Sequence, residues 1–215
     1  MTRWRRALVT PVVYDFGVEH ERLATLGARL LWGADARRFY REIDDLRGLA
    51  GTATVLDVPC GGGVAFRGQE GRGPLRYLAL DLSPVMLRRA RANARRRRLD
   101  GVRFTQGSVA ALPCRDAAFD LCLSYFGLHC FPDPPGALAE MARVLRPGGT
   151  LRGTAIVLGS GRRQDAAIRV LRRTGTFGHV DTAAALTSWL TAAGLHRITV
   201  ERDGAIAFFS AHRPH

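Results

Sequence analysis

The amino-acid sequence predicts one α/β domain in which helices cover both faces of a mostly parallel sheet. Short apolar, β-rich runs alternate with helical patterns along most of the 215 residues. The first such run, Ala53–Val58, leads into three consecutive glycines, and a strand that enters a glycine-rich turn is typical of cofactor sites in open α/β sheets. Near the carboxyl end, two strand patterns flank Asp203-Gly204, which predicts an antiparallel hairpin.

The other elements follow from periodicity and from helix-start and helix-stop residues. Apolar residues at helical spacing between Glu19 and Leu46, with a break at Gly33, predict two N-terminal helices. The remaining strands are expected at Leu75–Asp81, Val102–Gln106, Phe119–Tyr125, Thr150–Leu158, His196–Arg202 and Ala205–Ala211. Further helices are expected at Val64–Gln69, from Ser83 onward, and at Pro134–Leu145, Gln164–Arg173 and Thr182–Ala193. The run Pro147-Gly148-Gly149 is expected to end the helix before the fifth strand.

Two acidic residues stand at the ends of the first two predicted strands. Asp57 precedes the glycine turn, and Asp81 lies 18 residues beyond Gly63, near the spacing of about 20 at which an acid meets ribose hydroxyls in such folds. The dinucleotide fingerprint matches weakly, because its third glycine falls on Phe66, whose side chain would push the helix away from the strand. The pattern therefore points to another class of cofactor.

Three segments together resemble the class I methyltransferases that use S-adenosylmethionine. The turn Asp57–Gly63 is similar to the family's first motif, Leu80–Leu87 to its second, and Arg143–Gly149 to the stretch before its fifth strand. The resemblance runs from about Val55 to Val157 and is closest to the ubiquinone/menaquinone C-methyltransferase-like branch, methyltransferase type 11. It implies a single Rossmann-like domain with seven strands, the last of them inserted beside the fifth.

Within that single domain we expect four parts. Residues 1–50 form an N-terminal helical lid, 51–158 the cofactor-binding core, 159–180 a cap over the acceptor site, and 181–215 the last helix and the terminal hairpin. The segment after the fifth strand is long for a plain connection, and such loops are usually functional lids or disordered. Its apolar residues need something to pack on, which favours a lid.

The resemblance implies that S-adenosylmethionine binds at the carboxyl ends of the strands and leaves as S-adenosylhomocysteine. Asp81 is expected to accept the ribose hydroxyls, and Asp57 to act through the glycine turn. Two positions depart from the family pattern: Pro59 replaces the usual first glycine, and Ser108 the usual acid near the adenine amino group. The residues expected to contact the cofactor are Asp57, Pro59, Cys60, Gly61, Gly63, Asp81, Leu82, Met86, Ser108, Val109, Ser124 and Tyr125.

Methyl transfer from a sulfonium is an in-line displacement, so the protein mainly positions the reactants and excludes water. Phe126, His129 and Phe131 follow the fourth strand and are expected to line the acceptor pocket. His129 is a candidate general base because an ordinary histidine titrates near neutral pH; packing or capping of the next loop is the alternative. Tyr14 is a second catalytic candidate, since the family often has a Tyr-Asp pair in the lid. No spacing of cysteines indicates a metal.

The net charge is +13, and all 32 basic residues are arginine. Such a charge attracts nucleic acid and other anions, but a lysine-free chain rich in alanine, glycine and arginine also reflects compositional bias, which is the interpretation we favour. The densest cluster, between Arg88 and Arg98, lacks interleaved aromatic residues for base stacking. It is expected to be a solvated helix face, and we expect no nucleic-acid partner.

Composition also bounds the location and the partners. No apolar run approaches the roughly 20 residues needed to span a bilayer, and four cysteines without close pairing indicate reduced thiols in a cytoplasmic protein. We expect a monomer or homodimer that methylates a small molecule, with the acceptor atom (oxygen, nitrogen or carbon) left open. Two other functions stay open: a nucleic-acid methyltransferase, and a non-enzymatic protein that binds S-adenosylmethionine or serves as a scaffold.

Overall fold

A seven-stranded sheet forms the centre of the molecule, whose computed structural model describes residues 25–49, 51–69 and 76–215. The strand order is β3-β2-β1-β4-β5-β7-β6. The strands are β1 Thr54–Asp57, β2 Arg76–Asp81, β3 Val102–Gln106, β4 Phe119–Tyr125, β5 Leu145–Ile156, β6 His196–Asp203 and β7 Ile206–His212. Strands β1 to β5 are parallel, and β7 pairs antiparallel with both β5 and β6. The predicted fold class is confirmed, including the last strand beside the fifth.

Helices pack on both faces of this sheet. Within the described ranges the α-helices are α1 Ala36–Asp44, α2 Pro84–Arg96, α3 Pro134–Val144, α4 Arg162–Arg173 and α5 Ala183–Ala192. Shorter helical turns occupy Ala28–Trp32, Asp45–Gly48, Val64–Gln69 and Leu128–Cys130. Helix α2 begins as predicted, because the Ser83 side chain accepts a bond from the Met86 N–H and Pro84 stands in the first turn. None of the helices in the described part is long and apolar enough to cross a membrane.

Two apolar clusters hold the layers together, one on each face of the sheet. The first includes Leu87 of α2 and Ile168 of α4, together with residues of α1. The second includes Leu138 of α3 and Leu190 of α5. Strand β4 supplies side chains to both clusters, because successive residues of a strand point to opposite faces. A central parallel strand is therefore buried on both sides, as its apolar sequence indicates.

The fifth strand begins earlier than the sequence indicates. Strand β5 starts at Leu145, so Pro147-Gly148-Gly149 belongs to the strand and is not a separating turn. The Gly148 N–H donates to the Arg213 carbonyl, and the Arg213 N–H donates to the Gly149 carbonyl. These bonds tie the segment to the chain after β7, and with φ of +75° at Gly148 it forms an irregular part of the strand. Their partner lies more than 60 residues away, so local sequence does not reveal it.

Candidate functional site

The candidate site lies where β1 and β4 are neighbours in the sheet. Strands β2 and β3 lie on one side of β1, and β4 and β5 lie on its other side, so the order of the strands reverses between β1 and β4. Such a reversal leaves a crevice at the carboxyl ends of the two strands, and ligands of open α/β sheets bind there. The loops that follow β1, β2 and β4 carry most of the predicted site residues, so the topology brings these residues to one edge of the sheet.

Asp81 closes β2 and faces the glycine turn. One carboxylate oxygen accepts the Gly61 N–H at 2.9 Å, and the other accepts the Ser83 N–H at 2.8 Å. The side chain is 7% exposed. Each carboxylate oxygen has lone pairs for more than one bond, so Asp81 keeps acceptor capacity while it ties the loop after β1 to the start of α2. The sequence spacing between Asp81 and the glycines thus corresponds to a direct hydrogen bond between the Asp81 carboxylate and the Gly61 N–H.

Asp57 closes β1 and is more deeply buried than Asp81. Its carboxylate accepts the phenolic O–H of Tyr77 at 2.8 Å, from the neighbouring strand β2. Burial raises the pKa of Asp57 to about 7; the Tyr77 hydrogen bond works against this shift and the charge of Asp81 adds to it. Tyr77 is a partner that the sequence analysis did not identify, because its contact depends on the strand register.

The Phe66 ring packs directly against the glycine turn at Gly63. Gly61 and Gly63 have φ of +51° and +87°, a region that favours glycine. A Cβ on Gly63 would lie 2.3 Å from the Phe66 ring. Phe66 is fully buried and packs edge-on against Tyr77. This aromatic side chain fills the space in which a dinucleotide fold places its third glycine, so the chain continues as a short 3₁₀ turn over Val64–Gln69.

The sole asparagine of the chain, Asn93, supports the same turn from helix α2. Its amide nitrogen donates to the carbonyls of Gly62 and Gly63 at 3.0 and 3.1 Å, and its amide oxygen accepts from Arg97 Nε at 2.9 Å. The side chain is 3% exposed. Asn93 was not among the site residues predicted from the sequence. The available signal was a lone amide among apolar residues on one face of a helix otherwise rich in arginine.

Pro59 joins the loop after β1 to the loop after β4. A Cβ on Gly127 would lie 2.3 Å from the Pro59 ring, 2.9 Å from Ser124 Oγ and 3.0 Å from the Phe131 ring. The ring of Pro59 therefore fits against the bare backbone of Gly127. Ser124 is fully buried, and its hydroxyl has no hydrogen-bond partner in the described structure. An unpaired buried hydroxyl at the crevice suits a polar ligand.

The end of β4 carries backbone strain. Phe126 has φ of +54°, which is uncommon for a bulky side chain and tends to occur at functional sites. Its N–H donates to Thr154 on β5, and its ring packs 5.0 Å from the ring of Phe39. Tyr125 also packs on Phe39, at 5.4 Å, and burial raises its pKa. Phe39 thus covers the end of β4 from α1.

His129 is buried just beyond β4, in the short helical turn Leu128–Cys130. Its Nδ1 accepts the Ile156 N–H at 3.3 Å. Because that backbone group can only donate, Nδ1 is unprotonated and Nε2 carries the hydrogen of the neutral ring. Nε2 is buried without a partner in the described structure. Burial lowers the pKa of His129 to about 3, so the ring is a neutral hydrogen-bond donor at physiological pH.

The segment after β5 packs over His129. The Phe177 ring lies 4.5 Å from the His129 ring, and Trp32 stacks on Phe177 at 6.0 Å. The Gly178 N–H donates to the His129 carbonyl at 2.8 Å. Ile168 of α4 is fully buried. The segment is therefore an ordered, packed structure that covers the region expected to bind the acceptor.

The other predicted residues are exposed, buried or outside the described part of the chain. Leu82, directly after Asp81, is 53% exposed, whereas Met86, Val109 and Cys60 are buried. The Ser108 hydroxyl accepts the Ala110 N–H at 3.2 Å and lies on the surface. Tyr14 lies outside the described residues. Among the described side chains, no group of three or more His, Cys, Asp or Glu is placed to hold a metal ion.

Comparison with known proteins finds sequence and fold similarity to methyltransferases. Residues 56–152 match a family described as a methyltransferase domain. The chain is 43% identical over 96 residues to the probable phthiotriol/phenolphthiotriol dimycocerosates methyltransferase 2 of Mycobacterium ulcerans, covering 44% of this chain and 36% of that protein. It is 38% identical over 106 residues to the malonyl-[acyl-carrier protein] O-methyltransferase of Serratia marcescens, covering 49% and 39%. The match thus spans little more than a third of either relative.

A solved structure extends the likeness to nearly the whole chain. The S-adenosylmethionine-dependent methyltransferase of Thermotoga maritima, described as a possible histamine N-methyltransferase, superposes with a TM-score of 0.66. The sequences are 17% identical, and the match covers 95% of this chain and 99% of that one. At this identity the likeness shows a shared fold.

Proposed function

We propose, from the match of residues 56–152 to a methyltransferase domain family, that this chain transfers a methyl group from S-adenosylmethionine to a small-molecule acceptor. The observation that carries the proposal is the contact between the Asp81 carboxylate and the Gly61 N–H at the reversal point of the sheet. It brings an acid suited to ribose hydroxyls against the glycine turn, at the edge of the sheet where such ligands bind.

The residues present fit this cofactor. Asp81 would hold the ribose, Leu82 offers an exposed apolar surface beside it, and the unpaired hydroxyl of Ser124 offers a polar contact at the end of β4. S-adenosylmethionine, the cofactor of this family, supplies the activated methyl group. The chain itself would contribute position and exclusion of water, which are the main demands of a displacement reaction.

We place the acceptor beneath the cap formed by residues 159–180. Phe177 and Trp32 form an aromatic stack over His129, and an acceptor that moves Phe177 aside would meet the Nε2–H of His129. Burial lowers the pKa of His129 to about 3, which makes the neutral imidazole a weak base, and its unprotonated Nδ1 already accepts the Ile156 N–H. The donor role therefore has better support than the base role, and the acceptor would present an oxygen to this hydrogen.

The names of the relatives agree with an oxygen-bearing acceptor. One is called an O-methyltransferase of malonyl-[acyl-carrier protein], and another acts on phthiotriol or phenolphthiotriol dimycocerosates. We propose that this chain likewise methylates an oxygen of a carboxylate or hydroxyl compound. The proposed location is the cytoplasm, which is supported by four cysteines that are all free thiols.

An assay with S-adenosylmethionine labelled in its methyl group tests the proposal. The protein is incubated with a panel of carboxylic acids, phenols, alcohols and amines, and transfer of label to each is measured. We expect transfer to an oxygen-bearing member. The F177A variant should lose turnover while it keeps affinity for S-adenosylhomocysteine, because Phe177 is the residue of the cap whose ring contacts His129.

The V170A variant is the matched control, because Val170 lies on α4 of the same cap and is 56% exposed. Its turnover should equal that of the wild type. Turnover in F177A equal to that in V170A would show that the cap does not form the acceptor site. Transfer of label only to amines would overturn the proposed oxygen acceptor.

A further inference from the structure

We propose that Asn93 is a positioning residue that sets the geometry of the glycine turn for cofactor binding. The proposal rests on the cofactor assigned above. Asn93 reaches the turn across 30 residues of sequence and uses both amide hydrogens, one on the Gly62 carbonyl and one on the Gly63 carbonyl. Its side chain is 3% exposed, so water does not compete readily for these bonds.

The turn needs such a support because consecutive glycines have the largest conformational freedom of any residues. Within the turn, the Gly63 N–H donates to the Cys60 carbonyl, and the Phe66 N–H donates to the Gly63 carbonyl. Asp81 holds Gly61 from the β2 side, and Asn93 holds the next two residues from α2. The two side chains together fix the three glycines from opposite ends.

The bonds of Asn93 also orient the N–H groups of the turn. Since each peptide group is planar and trans, a carbonyl that points toward α2 sends the N–H of the following residue the opposite way. The Gly62 carbonyl thereby directs the Gly63 N–H toward the Cys60 carbonyl, to which it donates, and the Gly63 carbonyl directs the Val64 N–H away from α2. A ligand that approaches the turn from the side opposite α2 meets a turn whose backbone is already ordered, which lowers the ordering cost of binding.

The orientation of the amide is itself fixed by Arg97. The Asn93 oxygen accepts from Arg97 Nε at 2.9 Å, and Arg96 lies at 3.5 Å. Arginine can only donate and the glycine carbonyls can only accept, so only one orientation of the amide satisfies both sides. Arg97 thus has a structural partner, although the arginines around it form an exposed helix surface.

The test compares the N93A variant with R95Q, which removes an exposed charge two residues along the same helix. Titration of S-adenosylhomocysteine by calorimetry should show a dissociation constant raised about ten-fold or more in N93A, since two buried hydrogen bonds are lost. R95Q should match the wild type. N93D keeps the shape of the side chain but cannot donate, so it should weaken binding as N93A does; it serves if N93A fails to fold.

Hydrogen exchange of the ligand-free protein gives a readout that does not depend on the cofactor. The Gly63 and Phe66 amides should exchange about ten-fold faster or more in N93A than in R95Q. Unchanged exchange at these amides, or unchanged affinity in a variant with faster exchange, would overturn the inference. If the wild type binds no S-adenosylhomocysteine, the proposed function fails, and the exchange rates still decide whether Asn93 holds the turn.

Discussion

Two buried titratable side chains near the crevice have pKa values shifted in opposite directions. Asp57 has its pKa raised to about 7 by burial, and His129 has its pKa lowered to about 3 by burial. Between about pH 4 and pH 6.5 the folded state keeps the proton on Asp57, which the unfolded chain releases. Over the same range the unfolded chain protonates His129, which the folded state leaves neutral. Their effects on the pH dependence of stability therefore oppose each other.

Substitution of either residue should expose the effect of the other. In H129N, the free energy of unfolding relative to wild type should fall as pH rises from about 4 to about 6.5, by up to about 1.4 kcal/mol per pH unit. In D57N the free energy of unfolding relative to wild type should rise with pH over the same range. The unfolded chain still protonates His129 more readily than the folded state does, and the opposing effect of Asp57 is gone. Urea unfolding at several pH values measures both. Parallel profiles for the two variants would contradict the assigned protonation states.

Sequence spacing located the acids of the site but not their partners. Asp57 and Asp81 were identifiable because each ends a strand at a fixed distance from the glycines. Tyr77 and Asn93 were not, since their contacts depend on strand register and on the rotation of α2. The positive φ of Phe126 arises from the bend after β4, and aromatic residues carry no local signal for that conformation.

At the scale of elements, the loops after β1 and β4 fit together through Pro59 and Gly127. The class I methyltransferases that this chain resembles usually have glycine at the position of Pro59. The Pro59 ring is larger than glycine, and it packs against Gly127, which has no side chain. Gly127 has φ of −92°, so alanine would suit its backbone. The constraint on Gly127 is the space occupied by Pro59, Ser124 and Phe131.

The G127A variant should lose about 1–3 kcal/mol of unfolding free energy, the usual cost of overpacking. The double variant P59G/G127A should regain part of that loss, because the nearest contact, 2.3 Å to the Pro59 ring, is removed. G48A is the control, since a Cβ on Gly48 meets nothing within 4 Å. Chemical denaturation of the wild type, P59G, G127A and P59G/G127A gives a double-mutant cycle. Purely additive effects of P59G and G127A would show that the two loops do not interact.

Element boundaries were predictable where the chain signals them locally. Strands β3 and β4 have the expected bounds, and α5 starts one residue after the expected Thr182, which caps it. Strand β5 was misjudged because a proline followed by two glycines normally ends a helix and opens a turn. Here the backbone bonds of Arg213 tie that segment to the chain after β7, and a contact over such a distance is not visible in local sequence.

At the scale of the whole molecule, part of the arginine excess has structural uses. Arg143 pairs with Glu140 and Asp116, and Arg213 donates to the carbonyls of Ala142 and Arg143 at the end of α3. These contacts place cations at a helix carboxyl terminus, where they are favourable. These two arginines therefore serve the fold, and the absence of a nucleic-acid partner stays a prediction.

The central claim is that the crevice at the carboxyl ends of β1 and β4 binds the cofactor. Calorimetric titration of S-adenosylhomocysteine into wild type, D81A and D120A tests it most directly. Asp120 is the matched control, because it also accepts a backbone N–H, that of Thr54, but at the opposite end of the sheet. We predict one site in the wild type and a loss of about 1.5–3 kcal/mol in D81A, with D120A unchanged. Absence of binding to the folded wild type, or equal affinity in D81A and D120A, would contradict the claim.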